Sequence, residues 1–257
     1  MPSSKAPMAL LIMEGPWWTP EQKPKRPSVL SFFEGMENYR GDFNIYYSNF
    51  YEKMGFRRAL EDDLLHTRED RLFLYVAAHG YPHMFGGMKA TRGMQIGTLM
   101  RTVKRAANFT QIEGVVFGSC NIGSNVEDFA KTIKSSHIAW MFGYSCEIDW
   151  MTSTMVDVSI FEQMMSLKRT DLRSMDAILT ACARGLQRFN PGFLICREEG
   201  GARVRLADAF TFVVQPRGRG RKPQDVTLPL KQLLGWDLPP ETEIPPGAEE
   251  TMPLMHS

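Results

Sequence analysis

Short runs that are apolar at nearly every position constrain this chain most. Ala9 to Met13, Leu72 to Ala77, Val115 to Phe117 and Ile138 to Tyr144 read as strands buried on both faces, and Phe43, Ile45 and Tyr47 alternate as a further strand. Segments of helical period separate them. Ser28 is placed to cap a helix that turns Val29, Phe32, Phe33 and Met36 inward and stops at Gly41. Phe56, Leu60 and Leu64 follow, then Leu99, Val103 and Ala106, and Ser124-Asn125-Val126-Glu127 has the form of a capping box. Met151, Met155, Val158, Phe161 and Met165 make one more stripe. Ile178, Cys182, Leu186 and Phe189 make the last, broken by Asn190-Pro191-Gly192. Strands alternating with helices predict an α/β fold, a mostly parallel central sheet with helices on both faces.

The chain has 257 residues, 43% of them hydrophobic, enough for one large core. We expect one domain over 1–215, with Phe193 to Cys196 and Phe210 to Val214 as late strands. Residues 216–257 then form an extension: a flexible basic turn from Pro216 to Pro223, then a Pro-rich tail, with Leu230, Leu233, Leu234 and Trp236 able to dock on the body. Thirty basic against 29 acidic residues leave a formal charge of +1, which gives no argument for nucleic acid or an anionic membrane as a direct partner. The arginines of 217–221 read as a solvated loop, because no aromatics are interleaved with them. Cys120, Cys146, Cys182 and Cys196 form neither a CxxC metal knuckle nor a compact disulfide framework, so a reducing cytosol fits best and no metal is expected. Met8 to Met13 is too short to span a bilayer. No GxGxxG or GxxxxGK[ST] follows the first strand, which ranks a flavodoxin-like or nucleotide-binding protein last, and no cofactor is expected.

Two strands end in residues with reactive side chains: RLFLYVAAHG delivers His79-Gly80 and GVVFGSC delivers Cys120. In an open parallel sheet, residues just past the carboxyl ends of adjacent strands converge on one crevice. An imidazole there can take the thiol proton, and the thiolate is the nucleophile. Gly80 and Gly118-Ser119 are small enough to let a substrate backbone approach. Between them, Tyr81 to Gly97 reads as a hairpin or mobile flap beside the crevice.

With the strand into His79-Gly80, the strand into Gly118-Ser119-Cys120 and the strand into Phe142 to Asp149, the chain resembles the caspase-like (clan CD) cysteine peptidases, within them the CHAT and separase branch. The resemblance spans roughly positions 70 to 165. It implies a caspase-like three-layer sandwich, His79 as general base or acid, Cys120 as nucleophile, the amides of Gly80 and Cys120 as oxyanion donors, and peptide hydrolysis through an acyl-enzyme. The familiar Gln-Ala-Cys signature is absent, since this chain reads Gly118-Ser119-Cys120-Asn121-Ile122-Gly123, so aspartate specificity is not implied. In the separase-like branch an acid after the next strand reads a basic P1 side chain. Glu147, with Asp149 close behind, falls at that place. Limited cleavage of a protein substrate is implied, under control of a separate activating or regulatory protein and in an antiviral defence setting.

Plainer readings compete for the same residues. His79 can be a hydrogen-bonded strand-end histidine, and Glu147 and Asp149 can cap the helix beginning near Thr152. Cys182 and Cys196 read as small core hydrophobes, Cys146 as a pocket wall, and His66, His83 and His137 as surface residues. Trp17 and Trp18 fit a cleft lining and a sheet plug equally. The alternative function is a catalytically silent caspase-like scaffold or regulatory subunit.

Overall fold

The computed structural model describes residues 7–16, 28–87, 93–197 and 202–236; Trp17 and Trp18 lie outside them. In chain order the elements are β1 (Met8–Glu14), α1 (Leu30–Arg40), β2 (Phe43–Asn49), α2 (Lys53–Arg58), β3 (Arg71–Ala77), β4 (Met84–Phe85), β5 (Met94–Gln95), α3 (Ile96–Phe109), β6 (Ile112–Gly118), α4 (Val126–Ile133), β7 (Trp140–Tyr144), α5 (Trp150–Met164), α6 (Met175–Leu186), β8 (Leu194–Arg197), β9 (Arg203–Arg205), β10 (Phe210–Val214), β11 (Gln224–Asp225) and α7 (Thr227–Leu234). Seven strands form the main sheet in the order β11-β10-β7-β6-β3-β1-β2. The five from β2 to β7 are parallel; β10 and β11 are antiparallel additions.

Strand alternation sorts the core into two halves. Leu10, Ile12, Phe73 and Tyr75 face Phe33 and Met36 of α1, Ile160 and Phe161 of α5, Ile178 and Leu186 of α6 and Leu230 of α7. Ala9, Leu11, Leu72 and Leu74 face Phe56 of α2, Leu99 and Val103 of α3, and Phe129 of α4. This is the expected three-layer sandwich, mostly parallel sheet with helices on both faces.

Several local expectations need correction. Ser28 does receive the Leu30 N–H (3.2 Å), but the start of α1 is held chiefly by fully buried Glu14, whose carboxylate accepts from Ser28 Oγ (2.7 Å), Val29 N–H (3.0 Å) and Tyr47 Oη (2.7 Å). No capping box forms at α4: the Asn125 side-chain amide instead donates to Asn121 O and Ile122 O, and Ser124 Oγ donates to Ser145 O. Of the two late strands only β10 joins the main sheet, with β11 paired outside it, while β8 forms a separate hairpin with β9. Leu230 and Trp236 are buried, whereas Leu233 is exposed. Nor is the basic turn loose at its start. Arg217 donates its backbone N–H to Leu172 O (2.7 Å) and shares buried Glu113 with Arg71 and Arg169.

The largest correction concerns α5. Its buried face carries Ser153, Val156, Asp157, Ile160, Phe161 and Met164, while Met151 and Met155 are 54% and 47% exposed. The stripe is rotated because Asp157 points inward, where Tyr75 Oη donates to Oδ2 (2.8 Å) and Tyr144 Oη to Oδ1 (2.7 Å). Burial still raises its pKa to about 7, the two tyrosine bonds pulling the other way. The neutral acid also fits: turning the Tyr144 hydroxyl toward Ser153 O, 3.2 Å away, frees its oxygen to accept the carboxyl proton. A carboxyl whose pKa rises on folding adds stability that is complete below its ordinary value of 3.8 and is lost as pH rises through about 7. Thermal unfolding across pH will therefore show Asp157→Asn gaining on the wild type from about pH 5 to pH 8. A gap that stays constant with pH would show that Asp157 does not titrate there.

Candidate active site

The carboxyl ends of β3 and β6, paired in register to Ala77↔Gly118, bring side by side the two strand ends that lead into the candidate residues. Ser119 couples them: its hydroxyl accepts the Ala78 N–H (3.1 Å) and donates to Val76 O (3.5 Å). One residue on, Gly80 rests on the Cys120 main chain. A Cβ built at Gly80 would lie 1.9 Å from Cys120 O and 2.9 Å from Cys120 N, so no side chain fits there. Bonds from Gly86 N–H to His79 O (2.8 Å) and from Tyr81 N–H to Met84 O (2.8 Å) flank the Gly80–Phe85 bridge. They make Gly80 and Phe85 a non-hydrogen-bonded pair, in which the Gly80 N–H is directed away from the hairpin.

The described part of the expected flap is the β4–β5 hairpin stem. Phe85 anchors it, fully buried, with its ring 5.7 Å from Phe50 and 6.1 Å from Phe56. Residues 88–92 lie outside the described part. After Cys120 the chain turns sharply through Asn121 in the left-handed region (φ 60°), a conformation asparagine tolerates better than most residues. Asn121 N–H then bonds Cys146 O (2.9 Å), tying the turn to the segment after β7.

That segment closes over the thiol. Ile148 N–H donates to Cys120 Sγ (3.3 Å), and Ile148 O lies 3.9 Å from the same sulfur. Burial pushes the Cys120 thiol up; the Ile148 N–H works against this, and the nearby Glu147 charge adds to it. Burial also lowers the His79 pKa. Both shifts favour a neutral thiol and a neutral imidazole, which leaves His79 able to accept a proton at neutral pH. Tyr81 belongs to the same neighbourhood, its hydroxyl pKa raised by burial and then by the charge Cys120 carries as thiolate.

Glu147 and Asp149 part company. Asp149 Oδ1 accepts the Thr152 N–H (2.8 Å), so Asp149 is the N-cap of α5. Glu147 is half-buried near Cys120. Cys146 and Cys182 are buried, and His66, His83 and His137 are exposed. Sequence reasoning missed the Ile148 amide, the bonds of the Ser119 hydroxyl, the Tyr81 hydroxyl near the thiol and the left-handed Asn121. Only Asn121 carried a readable signal, as a turn-former directly after a strand-end cysteine. Among the described residues no group of three or more His, Cys, Asp or Glu could hold a metal ion, and no helix is long and apolar enough to cross a membrane.

No family model matches the sequence, and no curated protein does either. Among solved structures the chain is similar to the X-ray structure of a secreted C11 cysteine protease from Bacteroides thetaiotaomicron, "iotapain", with a TM-score of 0.50 and 13% identity, covering 90% of this chain and 69% of that one. A structure of a secreted C11 cysteine protease from the same organism in complex with an irreversible peptide inhibitor matches with a TM-score of 0.46 and 12% identity, over 82% of this chain and 66% of that one. The fold is therefore the caspase-like α/β sandwich seen in the C11 proteases.

Proposed function

We propose that the protein is a cysteine endopeptidase that makes limited cuts in a protein substrate through His79 and Cys120. The observation that carries this reading is the Gly80–Cys120 main-chain contact, which sets the strand end bearing an imidazole against the strand end bearing a thiol. In the proposed cycle His79 takes the Cys120 proton and Sγ attacks the scissile carbonyl. The Gly80 and Cys120 amides face the resulting oxyanion, and His79 returns the proton to the leaving amine. Water then hydrolyses the thioester. We further propose a reducing cytosol as its compartment and a separate activating protein as its control.

Cleavage of a proteome-derived peptide library by the wild type and by Cys120→Ala and His79→Ala tests the dyad. Activity is expected in the wild type alone, each variant losing at least about 10³-fold. Silence in all three, with a Cys120 that resists alkylation, favours the scaffold reading; the upward push of burial on the thiol is the observation on its side.

Glu147 is proposed to read a basic P1 side chain, with Asp149 held back by its helix-capping bond. The Glu147 charge also disfavours the thiolate, so a cationic P1 group that neutralises it lowers the Cys120 pKa as substrate arrives. Two opposite effects are expected of Glu147→Gln: faster alkylation of Cys120 by iodoacetamide without substrate, and slower cleavage after Arg or Lys. Equal alkylation rates would remove the electrostatic coupling, and unchanged P1 preference would remove the specificity role. In wild type the alkylation rate should climb with pH to beyond 9.0, the ordinary thiol value, because burial raises Cys120 above it.

A further inference from the structure

Cys196 lies on β8, far along the chain from Cys120, yet the fold brings the two close. Ile148 N–H sits on Cys120 Sγ at 3.3 Å; the next residue, Asp149, donates its N–H to Ile195 O at 2.9 Å; and Cys196 follows Ile195. Both cysteines are partly buried and pack against the same side of the core. A Cys196 charge also raises the Cys120 pKa, which places the two within electrostatic reach. The other two cysteines are placed differently. Cys146 is buried with its thiol toward Ala209 O (3.9 Å), and Cys182 is enclosed in α6, where burial pushes its thiol far up. None of the four is in a disulfide.

We propose that Cys120 and Cys196 form a reversible oxidation site, in which a peroxide oxidises Cys120 and Cys196 resolves the product as a disulfide. The Cys120 thiolate attacks the O–O bond of hydrogen peroxide, giving a sulfenic acid (S–OH) and releasing hydroxide. The Cys196 thiolate then attacks that sulfur and expels a second hydroxide. Two thiols and one peroxide thus become one disulfide and two waters, the peroxide taking both electrons. A dithiol reductant reverses the step. The cross-link stands on the placement of the two cysteines across the Ile148–Asp149 segment; its consequence, a silenced nucleophile, rests on the peptidase reading.

The test uses the full chain treated with hydrogen peroxide at about pH 8.5, where thiolate begins to form, then digested without reduction and analysed by mass spectrometry. A Cys120–Cys196 linked peptide that vanishes on dithiothreitol treatment is expected. In Cys196→Ser, Cys120 should remain a sulfenic acid, and its dimedone adduct should rise severalfold over wild type. Equal dimedone labelling of Cys120 in both proteins, a link to Cys146 in place of Cys196, or no oxidation of Cys120 while iodoacetamide still alkylates it would each overturn the proposal. Because the readout is a covalent mass, it stands whether or not peptide cleavage is found.

Discussion

Main chain against main chain at Gly80 and Cys120 is the constraint on which the site depends. Parallel pairing of β3 and β6 fixes how far each strand runs, and Ser119 fixes how the two ends leave the sheet. With no side chain at Gly80, the crevice between them closes to backbone contact. Asn121 then turns the chain away so that the segment after β7 can lay Ile148 on the sulfur. Gly80, Asn121 and Ile148 are thus positioned beside Cys120 through the main chain rather than by long flexible side chains, an arrangement that fixes geometry closely.

The fold was largely legible because the parallel strands are buried on both faces and announce themselves by composition, as Leu72 to Ala77 does. The sequence was less informative wherever a polar residue points inward. The stripe expected on α5 takes in Met151 and Met155, which the structure leaves exposed, and leaves out Asp157, which it buries. Two tyrosines from strands far apart in sequence hold Asp157 there, and no local pattern encodes them. Glu113, Arg71, Arg169 and Arg217 make the same point for the basic turn. At the candidate site His79, Gly80 and Cys120 were readable from strand ends. The Ile148 amide was not, because a backbone group carries no residue-specific mark.

The electrostatics around Cys120 favour restraint. Burial and the Glu147 and Cys196 charges oppose the thiolate, and backbone hydrogen bonds at Ile148 and Cys120 oppose them. A buried thiol with that balance keeps its proton until base or a change in its surroundings draws it off. The 145–149 segment that covers the sulfur is tied by backbone bonds at Asn121, Ala209 and Ile195, and Asp149 caps α5.

The antiparallel β10 has a bearing on how the molecule assembles. Until residues 210–214 pair with Trp140–Tyr144, the outer side of β7 is an open edge. The same late segment supplies Ala209 O to Ser145 N–H, and β8 supplies Ile195 O to Asp149 N–H. Strand ends bearing the imidazole and the thiol can therefore form with the parallel half of the sheet, while the cover over the sulfur waits for chain made long afterwards. Cys120 is therefore made well before the chain that holds its cover in place.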